Sequence, residues 1–106
     1  MLEQSTGAAR WTVRLGDDLV HFQGHFPGKP ILPGVAQVDW AIRLARRQFG
    51  DLGSFASLER LKFQAIAVPG EILELALEWD AATGLLNFSF VAGGRRKSTG
   101  RVRFQR

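Results

Sequence analysis

Cysteine and tyrosine are absent from this chain of 106 residues, and methionine occurs only once. Without cysteine the chain can form no disulfide, no thiolate metal site and no cysteine nucleophile. Its two histidines are too few for a three-histidine zinc site. No apolar run approaches the roughly 20 residues of a membrane-spanning helix, and no secretory leader is evident. We therefore expect a cytoplasmic protein without membrane insertion.

Acidic residues are missing from the C-terminal quarter of the chain. Residues 81–106 hold six of the 14 basic residues and none of the 10 acidic residues. A basic stretch of this kind indicates an acidic partner, such as nucleic acid, an anionic membrane or an acidic protein. No nucleic-acid-binding motif occurs in the sequence, so we expect no nucleic-acid partner.

Hydrophobic periodicity predicts one helix and several strands within a single domain. Residues 1–9 are small and polar and predict a flexible tail, so the domain covers residues 10–106. Apolar residues recur every three or four positions from Val35 to Phe49, which is typical of a helix, and Gly50 is a usual residue after a helix end. Alternating apolar and polar residues predict strands over residues 11–15, 58–64, 71–80, 85–92 and after 94, with a short extended piece at 19–22. This order favours an α+β fold in which an antiparallel sheet wraps around one long central helix.

A stretch rich in proline and glycine separates the first predicted strand from the helix. Half of residues 23–34 are of these two types, namely Gly24, Pro27, Gly28, Pro30, Pro33 and Gly34. Such a density prevents both regular helix and regular strand pairing, so we expect a fixed irregular loop. Loops of this kind often hold functional residues.

Two titratable residues lie near the predicted start of the helix. Histidine titrates near neutral pH, so His25 in the loop is a natural proton carrier. Asp39 lies in an otherwise apolar part of the helix, and apolar surroundings favour the protonated carboxyl, which can donate a proton. The backbone amides around Gly34 and Val35 lack helical partners and can hold a polarised carbonyl oxygen. A base, an acid and an oxyanion site together suit proton abstraction next to a carbonyl.

Simpler interpretations exist for each of these residues. A single histidine in a loop is more often structural or solvated, and the loop alone can be a rigid connector. Asp39 can compensate the helix dipole or pair with Arg43, four residues later. We assign His21 to structure.

The residues from His21 to Val35, HFQGHFPGKPILPGV, followed by Asp39, resemble the signature of 3-hydroxyacyl-[acyl carrier protein] dehydratases of the FabA/FabZ type. Within that family the chain is similar to the ApeI-like group of aryl-polyene clusters. The resemblance implies a hotdog fold, in which an antiparallel sheet wraps a long central helix. It also implies a lyase that removes water from a 3-hydroxyacyl thioester on acyl carrier protein. The product would be the trans-2-enoyl thioester of fatty-acid or polyene-type synthesis, formed without a metal or cofactor.

The resemblance assigns roles to individual residues. His25 matches the catalytic base that takes the C2 proton, and Asp39 matches the acid that handles the C3 hydroxyl as it leaves. Gly34, with Val35 beside it, matches the amide site for the thioester carbonyl. The remaining substrate-binding positions that it implies are Phe26, Pro27, Gly28, Pro33 and Arg43.

The resemblance also implies partners. The site of this family forms between two chains, so we expect a homodimer or higher oligomer, in which another hotdog subunit can take part. The substrate arrives on acyl carrier protein, and we expect Arg95, Arg96 and Lys97 to dock this acidic partner. The rival interpretation of these three residues is a solvated turn and strand face.

One position departs from the pattern of the family. Arg43 stands where the family often has a glutamine that steadies the acid, and an ion pair with Arg43 would weaken Asp39 as a proton donor. Two alternatives to the dehydratase therefore stay open. One is a hotdog thioesterase that cleaves the acyl thioester, and the other is a non-catalytic hotdog subunit that binds acyl carrier protein.

Overall fold

The computed structural model describes residues 6–15, 34–68 and 70–105. This part of the chain contains one helix and five strands. In chain order they are β1 (Gly7–Arg14), α1 (Gly34–Phe49), β2 (Ser54–Phe63), β3 (Ile72–Asp80), β4 (Leu85–Ala92) and β5 (Arg95–Gln105). The predicted helix and the strands after it are confirmed. The predicted tail is wrong for residues 7–9, which pair with β3 as the start of β1, and the piece at 19–22 lies outside the described residues.

The five strands form one antiparallel sheet in the order β1-β3-β4-β5-β2. The two edges of the described sheet are therefore β1 and β2. Strand β1 pairs with β3 over its whole length, from Gly7 opposite Trp79 to Arg14 opposite Ile72. Short turns connect β3, β4 and β5, so their order in space follows their order in sequence.

The hydrophobic core lies between one face of the sheet and α1. Alternate residues of β3 point into it, and the four side chains Leu73, Leu75, Leu77 and Trp79 are almost fully buried. Strands β4 and β5 contribute Phe88, Phe90 and Val102 in the same way, while the helix contributes Ala36, Val38, Ala41 and Ala45. Each large side chain buried here stabilises the fold by about 1.5–3 kcal/mol. The sheet packed on a single helix confirms the predicted α+β class.

The C-terminal end of α1 follows the predicted pattern. Gly50 adopts a positive φ of 89°, and its amide donates a hydrogen bond of 3.0 Å to the carbonyl oxygen of Arg46. A residue with a Cβ is strained in this left-handed conformation, which explains why the helix ends at a glycine. Arg46 and Arg47 lie in the last turn, where their positive charge suits the helix dipole. No helix in the described ranges is long and apolar enough to cross a membrane.

Candidate active site

Helix α1 brings together four of the residues predicted for the site. Gly34 is the first residue of the helix, and Val35 beside it is 78% exposed. The first turn contains no acidic residue that would compensate the positive end of the helix dipole. Asp39 and Arg43 follow within the next turns, on an exposed face of the helix. The start of α1 therefore offers amide donors that lack partners within the helix, with a carboxylate further along the same helix.

Asp39 and Arg43 form an ion pair on the surface of the helix. The Nε atom of Arg43 donates a hydrogen bond of 2.7 Å to Oδ2 of Asp39. The Asp39 side chain is 51% exposed, so the apolar surroundings predicted for it are not present within the single chain. An exposed pair at this spacing stabilises a helix by only about 0.3–0.5 kcal/mol. Little free energy is therefore needed to separate Arg43 from Asp39.

An aromatic ring from β2 covers the backbone of Gly34. A Cβ atom at Gly34 would lie only 2.3 Å from Cζ of Phe63, so no side chain fits there unless the ring moves. The ring remains 52% exposed although it touches the helix start. Sequence reasoning missed Phe63, because its proximity to Gly34 depends on the path of β2 relative to α1. The glycine itself was the available hint, since a close backbone approach often requires glycine.

A buried hydrogen bond fixes the first turn of α1 to the sheet. The hydroxyl of Ser98 on β5 donates to Oε1 of Gln37 at 2.7 Å, and both side chains are almost fully buried. Ser98 is also the pairing partner of Phe63 across the β2–β5 ladder. The helix start, the ring that covers it and β5 are thus held in one frame. Sequence reasoning also missed this pair, because neither residue belongs to a recognisable motif.

The docking prediction is wrong for Lys97, which points into the protein. The residue is only 6% exposed, and its ammonium donates to the carbonyl oxygen of Ile66 at 2.8 Å and lies 2.9 Å from Oε2 of Glu71. Burial raises the pKa of Glu71. Hydrogen bonds from Lys97 and from the amide of Val68, together with the charge of Lys97, lower this pKa by more than burial raises it, so it lies below its ordinary value. Lys97 is thus a structural residue.

The other two predicted docking residues are described by the structure, whereas the predicted residues of the loop are not. Arg95 and Arg96 are exposed at the start of β5 and remain available to a partner. The catalytic base and four substrate-binding residues fall in the range 16–33, outside the described part of the chain, namely His25, Phe26, Pro27, Gly28 and Pro33. Their roles stay predictions, as do those of the residues on α1.

Comparison with known protein families covers the loop before α1 as well as the helix itself. A family model described as "ApeI-like: ApeI dehydratase" matches residues 2–101, which is nearly the whole chain and includes the loop and α1. The chain belongs to the ApeI-like dehydratase family. Its sheet and helix are those of the hotdog fold that the sequence motif implies.

Members and relatives of the ApeI-like family match at modest identity. A chain of the dehydratase heterocomplex ApeI:P from Xenorhabdus doucetiae is 33% identical with a TM-score of 0.89, over 99% of this chain and 100% of that one. An uncharacterized protein from Erwinia carotovora subsp. atroseptica is 36% identical with a TM-score of 0.85, over 97% and 86% respectively. The 3-hydroxyacyl-[acyl-carrier-protein] dehydratase FabZ of Alkaliphilus metalliredigens is 39% identical over 57% of this chain and 46% of its own length. The chain thus spans about half the length of the curated relatives that it matches.

Proposed function

We propose that this ApeI-like chain is the catalytic chain of a 3-hydroxyacyl-[acyl carrier protein] dehydratase. The observation that supports this best is the start of α1, where the first amides of the helix, at Gly34 and Val35, lie on the same helix as the carboxylate of Asp39. The family model covers this helix together with the loop that contains His25. Both halves of an acid–base pair are therefore present in the matched region.

The proposed reaction divides its steps among four residues. The helix-start amides of Gly34 and Val35 hold the thioester carbonyl and stabilise the negative charge that develops on its oxygen. His25 removes a proton from C2, and the electron pair of the broken C–H bond forms the C2–C3 double bond. The C3–O bond breaks, and Asp39 supplies the proton with which the hydroxyl leaves as water. These proton transfers require no metal or redox cofactor.

The edge strand β2 supports a second chain in the working enzyme. Phe55 and Phe63 on this edge and Val35 on the helix are large apolar residues exposed to solvent in the single chain. Edge strands with exposed apolar residues commonly pair with another chain. We propose a homodimer, or an assembly with another hotdog subunit as in the ApeI:P heterocomplex, with His25 and Asp39 of one site coming from different chains.

The decisive experiment incubates the purified protein with 3-hydroxyacyl carrier proteins of several chain lengths and follows the loss of one water by mass spectrometry. We expect dehydration by the wild type and losses of about 100-fold or more for His25→Ala and Asp39→Asn. The matched control is Glu74→Gln, which changes an exposed carboxylate on β3 and should leave the rate unchanged. Intact substrate at every chain length would contradict the dehydratase, and release of free thiol would indicate the thioesterase.

The ion pair between Arg43 and Asp39 favours one second candidate, a non-catalytic hotdog subunit. In the structure the guanidinium occupies one oxygen of the carboxylate that must donate the proton. If the chain has this role, it should be inactive alone, and Arg43→Gln should not create activity. If it is the catalytic chain, Arg43→Gln restores the family's usual residue and should keep or raise the rate. The same mass-spectrometric assay separates these outcomes.

A further inference from the structure

A groove lies between helix α1 and strand β1. It encloses about 440 Å³, which is within the range of about 300–1,000 Å³ that is usual for small-ligand sites. The helix contributes Trp40, Arg43, Leu44 and Arg47 to its walls, and β1 contributes Val13. We call these five residues the helix groove. Of them, only Arg43 also belongs to the candidate active site.

Three apolar side chains form the floor of the helix groove. Val13, Trp40 and Leu44 pack against the hydrophobic core, and each of them is still partly exposed to solvent. Trp40 and Leu44 are four residues apart on α1, so they lie one above the other on the same face of the helix. A hydrocarbon chain placed on this floor removes further apolar surface from water, which favours its binding.

Two guanidinium groups form the rim of the helix groove, and no carboxylate is among the described residues that line it. Arg43 and Arg47 are both exposed and are also four residues apart. The side chain of Arg47 forms no hydrogen bond or ion pair in the part of the chain that the structure describes. Arg43 binds the carboxylate of Asp39, but this contact uses only its Nε atom. Because a guanidinium has five N–H donors, both arginines retain donors for another anion.

The combination of an apolar floor with a cationic rim selects the chemistry of the ligand. Inorganic phosphate has no hydrocarbon part to cover the floor, and a neutral lipid has no charge for the two arginines. Five lining residues are also far fewer than the roughly 20–30 residues on each side of a stable protein interface. An amphipathic carboxylate satisfies both parts, because its chain covers the floor while its carboxylate accepts paired hydrogen bonds from guanidinium groups.

The helix groove is separate from the place where the thioester carbonyl of the proposed reaction binds. Leu44 lies ten residues after Gly34, which corresponds to about 15 Å along the helix axis. Val13 belongs to β1, the edge of the described sheet that lies opposite to β2. A ligand in the groove therefore leaves free both the helix start and the edge proposed to pair with a second chain.

We propose that the helix groove binds a free fatty acid, with its carboxylate on the two arginines of the rim and its hydrocarbon chain on the apolar floor. The carboxylate of the ligand competes with Asp39 for the guanidinium of Arg43, because an exposed ion pair on a helix is weak. Binding of the ligand is therefore coupled to release of Asp39. The effect of this coupling on turnover rests on the proposed dehydratase function, whereas the binding itself does not.

The first binding test locates the ligand. Octanoate is titrated into the wild type, and binding is followed by calorimetry and by the NMR signals of the tryptophan indole groups. The signal of Trp40 should shift, whereas that of Trp79, which is only 1% exposed, should not. Octanol and inorganic phosphate each offer only one part of the proposed ligand and should bind at least tenfold more weakly than octanoate. Absence of octanoate binding, a shift of Trp79 without Trp40, or equally tight binding of octanol or phosphate overturns the proposal.

The second binding test compares two charge variants with the wild type. Arg43→Gln/Arg47→Gln removes both cations of the rim and should bind octanoate at least tenfold more weakly. The matched control is Arg95→Gln/Arg96→Gln, which removes an exposed pair at the start of β5 and should keep the wild-type affinity. Both variants lie on the surface, and circular dichroism verifies that they fold. Equal affinities of the two variants for octanoate overturn the proposal.

The kinetic test measures the coupling to Asp39. With saturating 3-hydroxyacyl carrier protein, octanoate should raise the kcat of the wild type about twofold or more, because it draws Arg43 away from the proposed acid. The kcat of Arg43→Gln should not respond to octanoate. An unchanged or lowered kcat of the wild type, or an equal response of both enzymes, overturns the coupling. If the wild type does not dehydrate the substrate, the proposed function fails while the two binding tests still decide on the helix groove.

Discussion

Replacement of Ser98 by alanine tests how the helix start is held in place. The Ser98 hydroxyl is the hydrogen-bond donor that joins β5 to Oε1 of Gln37, one turn after Gly34. Both side chains are buried, so water does not readily replace the lost hydroxyl. Ser98→Ala removes a single oxygen atom and leaves the amide oxygen of Gln37 without this donor. The expected effect is therefore a loss of polar pairing with little change in packing.

The expected loss in the free energy of unfolding follows from the burial of Ser98 and Gln37. Removing the donor of a buried hydrogen bond costs about 1–3 kcal/mol, and we expect a loss in the middle of this range, about 2 kcal/mol, for this buried pair. A domain of this size loses about 4–8 °C in Tm for each kcal/mol. We therefore expect Ser98→Ala to lower Tm by about 8–16 °C. Turnover should fall as well, because Gln37 lies between Gly34 and Asp39 on α1.

Thermal and urea unfolding followed by circular dichroism measure this loss. Ser89→Ala is the matched control, because Ser89 lies half-buried on the outer face of β4 and its change should stay within about 0.5 kcal/mol. A double-mutant cycle with Gln37→Met should give a coupling free energy of about 1–2 kcal/mol between the two residues. Equal Tm values for Ser98→Ala and Ser89→Ala, or a coupling energy of zero, would refute the reasoning.

Two further predictions concern neighbouring contacts. Gly34→Ala should lower both Tm and activity, because its Cβ would clash with the Phe63 ring, and adding Phe63→Ala should restore Tm in a melting assay. For Glu71, the lowered pKa means that its ionised form stabilises the fold above the ordinary value of 4.5, and that this contribution is lost as the pH falls through the lower folded-state pKa. Wild type should therefore exceed Glu71→Gln in Tm most at pH 7, and the gap should close at acidic pH. A constant gap across this range would contradict the pairing of Glu71 with Lys97.

The order of the elements could be predicted from the sequence because side-chain periodicity reports burial directly. In β3 the alternation of leucines with polar residues predicts which side chains face the core, and Leu73, Leu75 and Leu77 are all almost fully buried. The helix was predictable for the same reason, and Gly50 marked its end. The start of β1 was not, because Gly7, Ala8 and Ala9 have no alternation. Their strand conformation follows from pairing with β3, a tertiary contact.

The candidate site was predictable only where a motif named its residues. The motif placed Asp39 and Gly34, and the helical spacing indicated the pair of Asp39 with Arg43, which the structure contains. The partners that hold the site in position were not predictable. Gln37 and Ser98 are 61 residues apart and meet only because β5 crosses beneath the first turn of α1. Phe63 reaches Gly34 through the same packing, which no local pattern encodes.

The basic C-terminal stretch shows why charge must be assigned to faces of the sheet rather than to segments of the chain. Lys97 is buried where the amides of Gln64 and Ala65 donate to its carbonyl oxygen and the carboxylate of Glu71 pairs with its ammonium. Arg103, six residues later, is neutralised by Glu59 of the neighbouring strand. Arg101 is left on the outer face, where the β2–β5 register places it beside two cations distant in sequence, Arg60 and Lys62. The basic residues of the C-terminal stretch therefore divide between a buried position, a paired position and an exposed face, which the composition alone does not distinguish.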